Sequence, residues 1–230
     1  GDVVSYRYDA DTQTAQETGR GGATTSVGLG TPTDLATLTL EGITYVVVAS
    51  SESQSLSLFE LQLDGSLIAT DHVLDTLHTL FGRANLVETF DVNGTPFIIA
   101  AGGDAGVSLF TMLPSGRLVL IENYHAWNGA PLVDLASLKV VLSGQDVFVY
   151  LTSETQAGVI SMAFDAAAWS APQYDNQMNS TLEGTALNDV ISGGGGDDIL
   201  RGLAGDDVLS DGRGSDHLYG GSGADVFVME

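Results

Sequence analysis

The sequence has no cysteine, so neither a disulfide framework nor a thiolate zinc site is open to it. Basic residues are nearly as scarce. Seven Lys and Arg stand against thirty Asp and Glu, a formal net charge of −23, and Lys139 is the sole lysine. A surface of that sign repels nucleic acid and anionic membranes, which are bound through a basic footprint. It draws cations. Long apolar runs are missing as well. The best, ITYVVVAS (Ile43 to Ser50), has the length of a strand and falls well short of a membrane span. Neither nucleic acid nor membrane insertion is therefore expected, and no signal peptide is visible. Catalytic motifs are absent too. There is no H-E-x-x-H and no G-x-S-x-G, so no catalytic residue is assigned.

Hydrophobic residues make up 43% of the chain, enough for a core and against global disorder. Residues 1 to about 170 read as β-structure with a long repeat. QSLSLFELQLDGSL (Gln54 to Leu67) aligns with AGVSLFTMLPSGRL (Ala105 to Leu118), and AGVISMAFDAAA (Ala157 to Ala168) and the opening GDVVSYRYDADT (Gly1 to Thr12) repeat the same strand. Ser5, Ser57, Ser108 and Ser161 mark one equivalent position. Within a copy the pattern predicts four short strands, in the first copy 35–40, 43–49, 55–63 and 67–73. The turns LEG and LDGS place Gly where positive φ is needed.

Four antiparallel strands every ~40–50 residues is the grammar of a propeller blade. GITYVVVASSESQSLSLFELQLDGSL resembles blades of the lactonase-like propeller family, a likeness that extends from about Tyr6 to Phe164. The visible repeats amount to the end of one blade, two full blades and most of a third, whereas a closed ring needs at least about four. Either the terminal strands share one blade or blades are missing. The opening inside a repeat favours missing blades.

Residues 171–183, APQYDNQMNSTLE, are polar and aperiodic and read as a linker. From Gly184 the chain divides into nines: GTALNDVIS, GGGGDDILR, GLAGDDVLS, DGRGSDHLY, GGSGADVFV. The sixth place is always Asp: Asp189, Asp198, Asp207, Asp216 and Asp225. The eighth is always large and apolar: Ile191, Leu200, Leu209, Leu218 and Phe227. Glycines allow a turn of six residues, and three residues of strand follow with the eighth-place side chain inward. Two nines make a coil, so turns 18 residues apart stack: Asp189 on Asp207, Asp198 on Asp216, Asp207 on Asp225. Stacked carboxylates repel unless a cation lies between them. A hard cation that accepts six to eight oxygens is calcium. Turn formation alone is a poorer account, because turns do not need Asp at one phase five times.

Between Gly184 and Val228 there are eight Asp and no Glu, and with two Arg this leaves −6. One divalent ion per stacked pair, about three in all, would neutralise it. Candidate ligands are the five sixth-place aspartates with the turns of Gly194, Gly196, Gly205, Gly212, Gly214, Gly221 and Gly223. The first copy departs from the pattern with Thr185 and Leu187, the third with Leu203, and the fourth begins with Asp211. Leu187, at a glycine turn position, is expected to be strained. A phosphate cradle is excluded for GGGGDD, since no Gly-Lys-Ser/Thr follows.

These nines resemble the RTX (haemolysin-type) calcium-binding repeat, G-G-x-G-x-D-x-U-x. The resemblance covers Gly184 to Val228. It implies a calcium-binding β-roll, export through a type I system and folding outside the cell, hence a secreted, extracellular or cell-surface protein. The whole then reads as all-β: propeller-like four-stranded repeats over 1–170, a linker over 171–183 and a short parallel roll over 184–230. Two other readings remain open, a lactonase-like hydrolase with a metal in its channel and a calcium-dependent surface or adhesin protein. A protein or carbohydrate ligand of the propeller-like part stays open, since the sequence does not identify one. Elsewhere the bland readings are expected. His72 and His78 read as strand-edge and loop residues. DADT (Asp9 to Thr12) and NGT (Asn93 to Thr95) read as hairpin turns, and Trp127 and Trp169 as packing.

Overall fold

The computed structural model describes residues 2–22, 29–127, 130–143, 146–175 and 178–230, without the side chains of Trp127 and Ala130. Strands β1 (Asp2–Asp9) and β2 (Thr14–Gly22) form a hairpin. Its turn is held by Asp9 Oδ1, which accepts from the amides of Asp11 at 2.9 Å and Thr12 at 3.2 Å, so DADT is a hairpin turn. Strands β3 (Pro32–Leu40), β4 (Ile43–Ser50), β5 (Ser55–Leu61) and β6 (Leu67–Leu74) make a four-stranded antiparallel sheet. A second such sheet comprises β7 (Leu86–Val92), β8 (Thr95–Ala101), β9 (Val107–Met112) and β10 (Leu118–Tyr124). A short pair follows, β11 (Ala126–Trp127) with β12 (Ala130–Pro131). The third sheet has three strands, β13 (Leu135–Ser143), β14 (Asp146–Ser153) and β15 (Val159–Phe164).

Turn chemistry sets these hairpins. Glu41 and Gly42 have φ of 50° and 79°, and Asn93 and Gly94 of 54° and 90°. Left-handed pairs of this kind match the twist of the strands they join. Burial explains the continuous apolar runs. All seven residues of β8 and all six of β9 are buried, because the second sheet is covered on both faces. Ile98, Ala100 and Phe110 join the first sheet's core, whereas Phe97, Ile99 and Leu109 face the third sheet.

The repeated serines occupy one structural position, each on the third strand of its repeat or its equivalent. Ser57 Oγ meets His72 Nδ1 at 2.9 Å, Ser108 Oγ donates to Asn123 at 2.7 Å, and Ser5 Oγ lies 3.2 Å from Thr18. Each is a tie to the fourth strand. Ser161 is exposed on β15, where no fourth strand follows among the described residues. β1 pairs with β2, and β15 with β14. Among the described residues the terminal strands share no sheet.

Beyond β15 the chain changes architecture. Strands β16 (Gln173–Tyr174), β17 (Thr181–Glu183), β18 (Val190–Ser192), β19 (Ile199–Ala204), β20 (Val208–Ser210), β21 (His217–Ser222) and β22 (Val226–Val228) wind as a parallel solenoid. One sheet runs β16-β18-β20-β22 and the other β17-β19-β21. Val190 pairs with Val208 and Val208 with Val226, a step of 18 residues. Winding begins inside the polar stretch 171–183. Leu182 packs on the solenoid interior and pairs with Leu200.

The interior is thin. Ile191, Leu200 and Leu209 are fully buried, with Leu182 and Leu218 against them. Phe227 differs from the expected inward set: it stacks in register beside Leu209 yet is 46% exposed. It lies on β22, which among the described residues is an edge strand with no further strand stacked beyond it. The two solenoid sheets also differ on their outer faces. Val190, Val208 and Val228 belong to the core that contains Phe97, Leu109, Leu135 and Trp169. Strands β18 and β20 are thus buried on both faces, and their sheet is welded to the antiparallel sheets. The other sheet turns His217 and Tyr219 to solvent.

Candidate metal centre

The turns before the strands form two columns. On the side facing the antiparallel sheets stand Asp189, Asp207 and Asp225, and on the other side Asp198 and Asp216. The expected stacking is seen as hydrogen bonds. Asp207 Oδ1 accepts from the Asp189 amide at 2.8 Å, Asp216 Oδ1 from the Asp198 amide at 2.7 Å, and Asp225 Oδ1 from the Asp207 amide at 3.2 Å. Each carboxylate is therefore locked by one oxygen to the coil 18 residues earlier, which sets the direction of the other.

Serine heads each column. Ser180 donates both its amide, at 2.8 Å, and its hydroxyl, at 2.9 Å, to Asp198 Oδ1. The Ser170 hydroxyl donates to Asp189 Oδ1. Residues 178–183 thus act as the end of one more copy of the nine, with Ser180 in the aspartate place and Leu182 in the apolar one. It lacks both aspartate at that place and glycine, and so leaves no mark in the sequence pattern.

The second oxygens separate the aspartates. Asp189 Oδ2 accepts from the Thr185 amide at 2.7 Å, so both its oxygens have partners. Asp198 and Asp207 are buried to 1% and 0% exposure, and the Oδ2 of each has no hydrogen-bond partner. An unpartnered buried charge is costly. At Asp207 burial raises the carboxyl pKa from 3.8 to about 6, and the neighbouring Asp189 and Asp225 add to the rise.

Both orphaned oxygens border a space kept open by glycine. A β-carbon on Gly193 would stand 2.6 Å from Asp198 Oδ2 and 2.9 Å from the Asp211 carbonyl. One on Gly202 would collide with Asp207 Oδ2 and the Gly220 carbonyl, and one on Gly184 would lie 2.6 Å from both Asp189 Oδ2 and the Gly202 carbonyl. Carboxylate and carbonyl oxygens converge there. Oxygen-only donors beside an uncompensated buried charge suit a hard cation such as calcium. Among the described residues no three Asp, Glu or His side chains converge on one ion, so carbonyls must complete any such shell.

The second- and fourth-place glycines have a different part. Gly194, Gly196, Gly205, Gly212, Gly214, Gly221 and Gly223 all have positive φ. They let one coil lie on the next: the Gly194 carbonyl accepts from the Arg213 amide at 2.7 Å, and a β-carbon on Gly214 would run into the Gly196 carbonyl. The first-place glycines, Gly184, Gly193, Gly202 and Gly220, are the ones beside the carboxylates. Their constancy at the first place of four nines was the available signal. Leu187 does not have positive φ; Leu203 does, at 82°. The strain expected at Leu187 therefore sits at Leu203, because the first turn, with Thr185 bonded to Asp189, takes another path.

Fifth-place side chains form a further ladder. Asn179 Oδ1 accepts from the Asp197 amide at 3.0 Å, and Asn188 Oδ1 from the Asp206 amide at 2.8 Å. Asp197 and Asp206 in turn accept from the amides of Ser215 at 3.0 Å and Ala224 at 2.7 Å. Both aspartates are exposed. The acids near His72 and His78 serve the sheets instead. Asp71 Oδ2 accepts from the Leu118 amide at 2.7 Å, tying the first sheet to the second, and Asp75 Oδ1 from the Thr79 hydroxyl at 2.8 Å. Trp169 is core, 4.9 Å centroid to centroid from Phe97. The Trp127 side chain lies outside the described residues.

No curated protein matches the chain. Among solved structures, it is similar to a Bacteroides fragilis protein assigned as a 6-phosphogluconolactonase, at 20% identity and a TM-score of 0.49, over 71% of this chain and 46% of that one. It is also similar to the periplasmic gluconolactonase PpgL of Pseudomonas aeruginosa, at 15% identity and a TM-score of 0.38, over 73% of this chain and 61% of that one. The GH43_1 enzyme of Xanthomonas citri has 13% identity and a TM-score of 0.39, over 52% of this chain and 39% of that one. The chain thus spans less than two thirds of each. No helix among the described residues is long and apolar enough to cross a membrane. Residues 174–209 and 201–228 match the family model of the RTX calcium-binding nonapeptide repeat, and the segment that builds the two aspartate columns carries RTX calcium-binding repeats.

Proposed function

We propose that the chain is a secreted calcium-binding protein whose roll folds on calcium and stabilises the propeller-like sheets fused to it. The observation that carries this reading is the pair of buried, unpartnered oxygens on Asp198 and Asp207. Bound calcium supplies the positive charge and oxygen coordination those carboxylates lack. One ion would be held by Asp198 and Asp216 with the Asp211 carbonyl. A second would be held by Asp207 and Asp225 with the Gly220 carbonyl. A third, between Asp189 and Asp207 with the Gly202 carbonyl, would be the weakest, since Asp189 is already held by Ser170 and Thr185.

The sheets of residues 1–170 and the roll of 184–230 take different roles in this reading, and 171–183, where the winding begins, joins them. Three buried aliphatic side chains inside the roll, with three valines on the face it shares with the sheets, are too few to order it unaided, so metal binding carries much of its folding free energy. The shared core at Val190, Val208 and Val228 passes that stability on to the sheets. The likeness to RTX repeats implies export unfolded where calcium is scarce and folding outside where it is plentiful, and a roll that needs calcium suits that order.

Thermal unfolding with calcium against chelator tests the proposal. Calcium at a hundredfold excess over its Kd stabilises by about 2.7 kcal/mol, and the melting temperature should rise for roll and sheets together. Equal melting temperatures in calcium and chelator would overturn it.

A further inference from the structure

Where the second and third sheets meet the solenoid, the molecule holds a cleft of about 380 Å³. Its floor is apolar and aromatic: Leu109 and Trp169 are buried there, and Tyr124 and Phe164 line it. Its polar lining comes from three parts of the chain, Glu122 on β10, Asp165 after β15, and Asn188 with Asp206 from stacked turns of the solenoid. Among the described residues no Lys, Arg or His lines it.

Three carboxylates around aromatic rings, uncompensated by any base, set the chemistry of a ligand. The three do not converge on a single ion, since no metal-holding group of acids exists among the described residues. The space is that of a small molecule. A positive charge too large to be a metal ion gains from the carboxylates by Coulomb attraction and from the rings through their negative faces. The Tyr124 hydroxyl, whose pKa is pushed up by burial and by its hydrogen bond to Glu122, keeps its proton and holds that carboxylate at the rim.

We propose that this cleft binds a small organic cation of the alkylammonium class, with Asp165 and Glu122 facing its charge. A neutral sugar would find the same rings but would gain nothing from the charge of the three exposed carboxylates. One wall of the cleft is a coil carrying Asp206, next to the proposed calcium ligand Asp207. Calcium that orders the coil therefore also completes the cleft, without touching the ligand.

The test uses the full chain in calcium and titrates choline against its neutral isostere 3,3-dimethyl-1-butanol and against glucose, by calorimetry or ligand-observed NMR. Choline should bind and the other two should not. Asp165→Asn and Glu122→Gln, at exposed positions, should each weaken choline about threefold to tenfold, with calcium stoichiometry unchanged as the check on folding. Binding of the isostere or of glucose as strong as that of choline would overturn the proposal, as would no binding of choline by a protein that takes up calcium normally. Loss of calcium uptake itself would count against the calcium reading alone.

Discussion

The antiparallel sheets and the solenoid are both β-structure, yet they are held by different means. The sheets rest on large side chains: Phe59, Phe81, Phe97 and Phe110 are fully buried, and Phe90, Phe97, Phe164 and Trp169 form one ring cluster. Their half-buried acids are tied to amides, as Asp71 is to Leu118 and Asp34 is to Val87 at 3.0 Å. The solenoid buries three aliphatic side chains inside and leaves two buried carboxylate oxygens without a partner. One region is complete as a hydrophobic structure. The other holds buried carboxylate oxygens that a cation would satisfy, and it leans on the first through a strip of valines.

The largest expected effect breaks that strip. Val208→Asp places an unpaired charge in the shared core and should cost about 3 kcal/mol or more, lowering the melting temperature of both regions. His217→Asp, at the same place in the next copy but on the solvent face, should change it little. Equal effects would mean that the two outer faces are not different.

Next comes the contrast among the aspartates. Asp198→Asn and Asp207→Asn remove a buried charge, so without calcium each should be neutral or slightly stabilising. Asp198→Asn should also abolish one calcium site and Asp207→Asn the two it shares, and both should reduce the calcium-dependent rise in melting temperature. Asp189→Asn should leave most of that rise intact. Calorimetric titration of the three variants checks the order.

The raised pKa of Asp207, about 6, gives a pH signature. A carboxyl whose pKa is higher folded than unfolded contributes stability that is fully present below the unfolded value of 3.8 and lost as pH rises through about 6. Without calcium the roll should therefore gain stability between pH 7 and 4. Calcium affinity should fall over the same range, because binding requires the deprotonated carboxylate. Melting curves at several pH values, with and without calcium, should move in opposite directions.

The smallest effect concerns backbone strain. Leu203→Gly should stabilise by about 1 kcal/mol, since Leu203 holds a left-handed φ and is 43% exposed. Leu187→Gly should give no gain. Chemical denaturation in calcium resolves the two.

Much of this contrast could be read from the sequence because two periods differ. The four-stranded repeats showed through their turns and their apolar strands, and the roll through Asp and an apolar residue at fixed places in every nine. What stayed hidden lay where a residue type did not carry the pattern. Ser180 replaces aspartate in the coil before Gly184, so that coil read as a linker. The weld was present as an alternation no one copy displays: Val190, Val208 and Val226 in odd copies against Ile199 and His217 in even ones. Leu203 and Leu187 looked alike as departures from glycine, and backbone angles alone separate them.

Hydrogen exchange, resolved by segment, tests the central claim most directly. In calcium, the amides of the coils from residue 184 to 228 should be protected about as strongly as those of β8 and β9. In chelator they should lose that protection, while β8 and β9 keep most of theirs. Coils equally protected with and without calcium would contradict the account, since Asp198 and Asp207 would then be stable as buried, unpartnered charges.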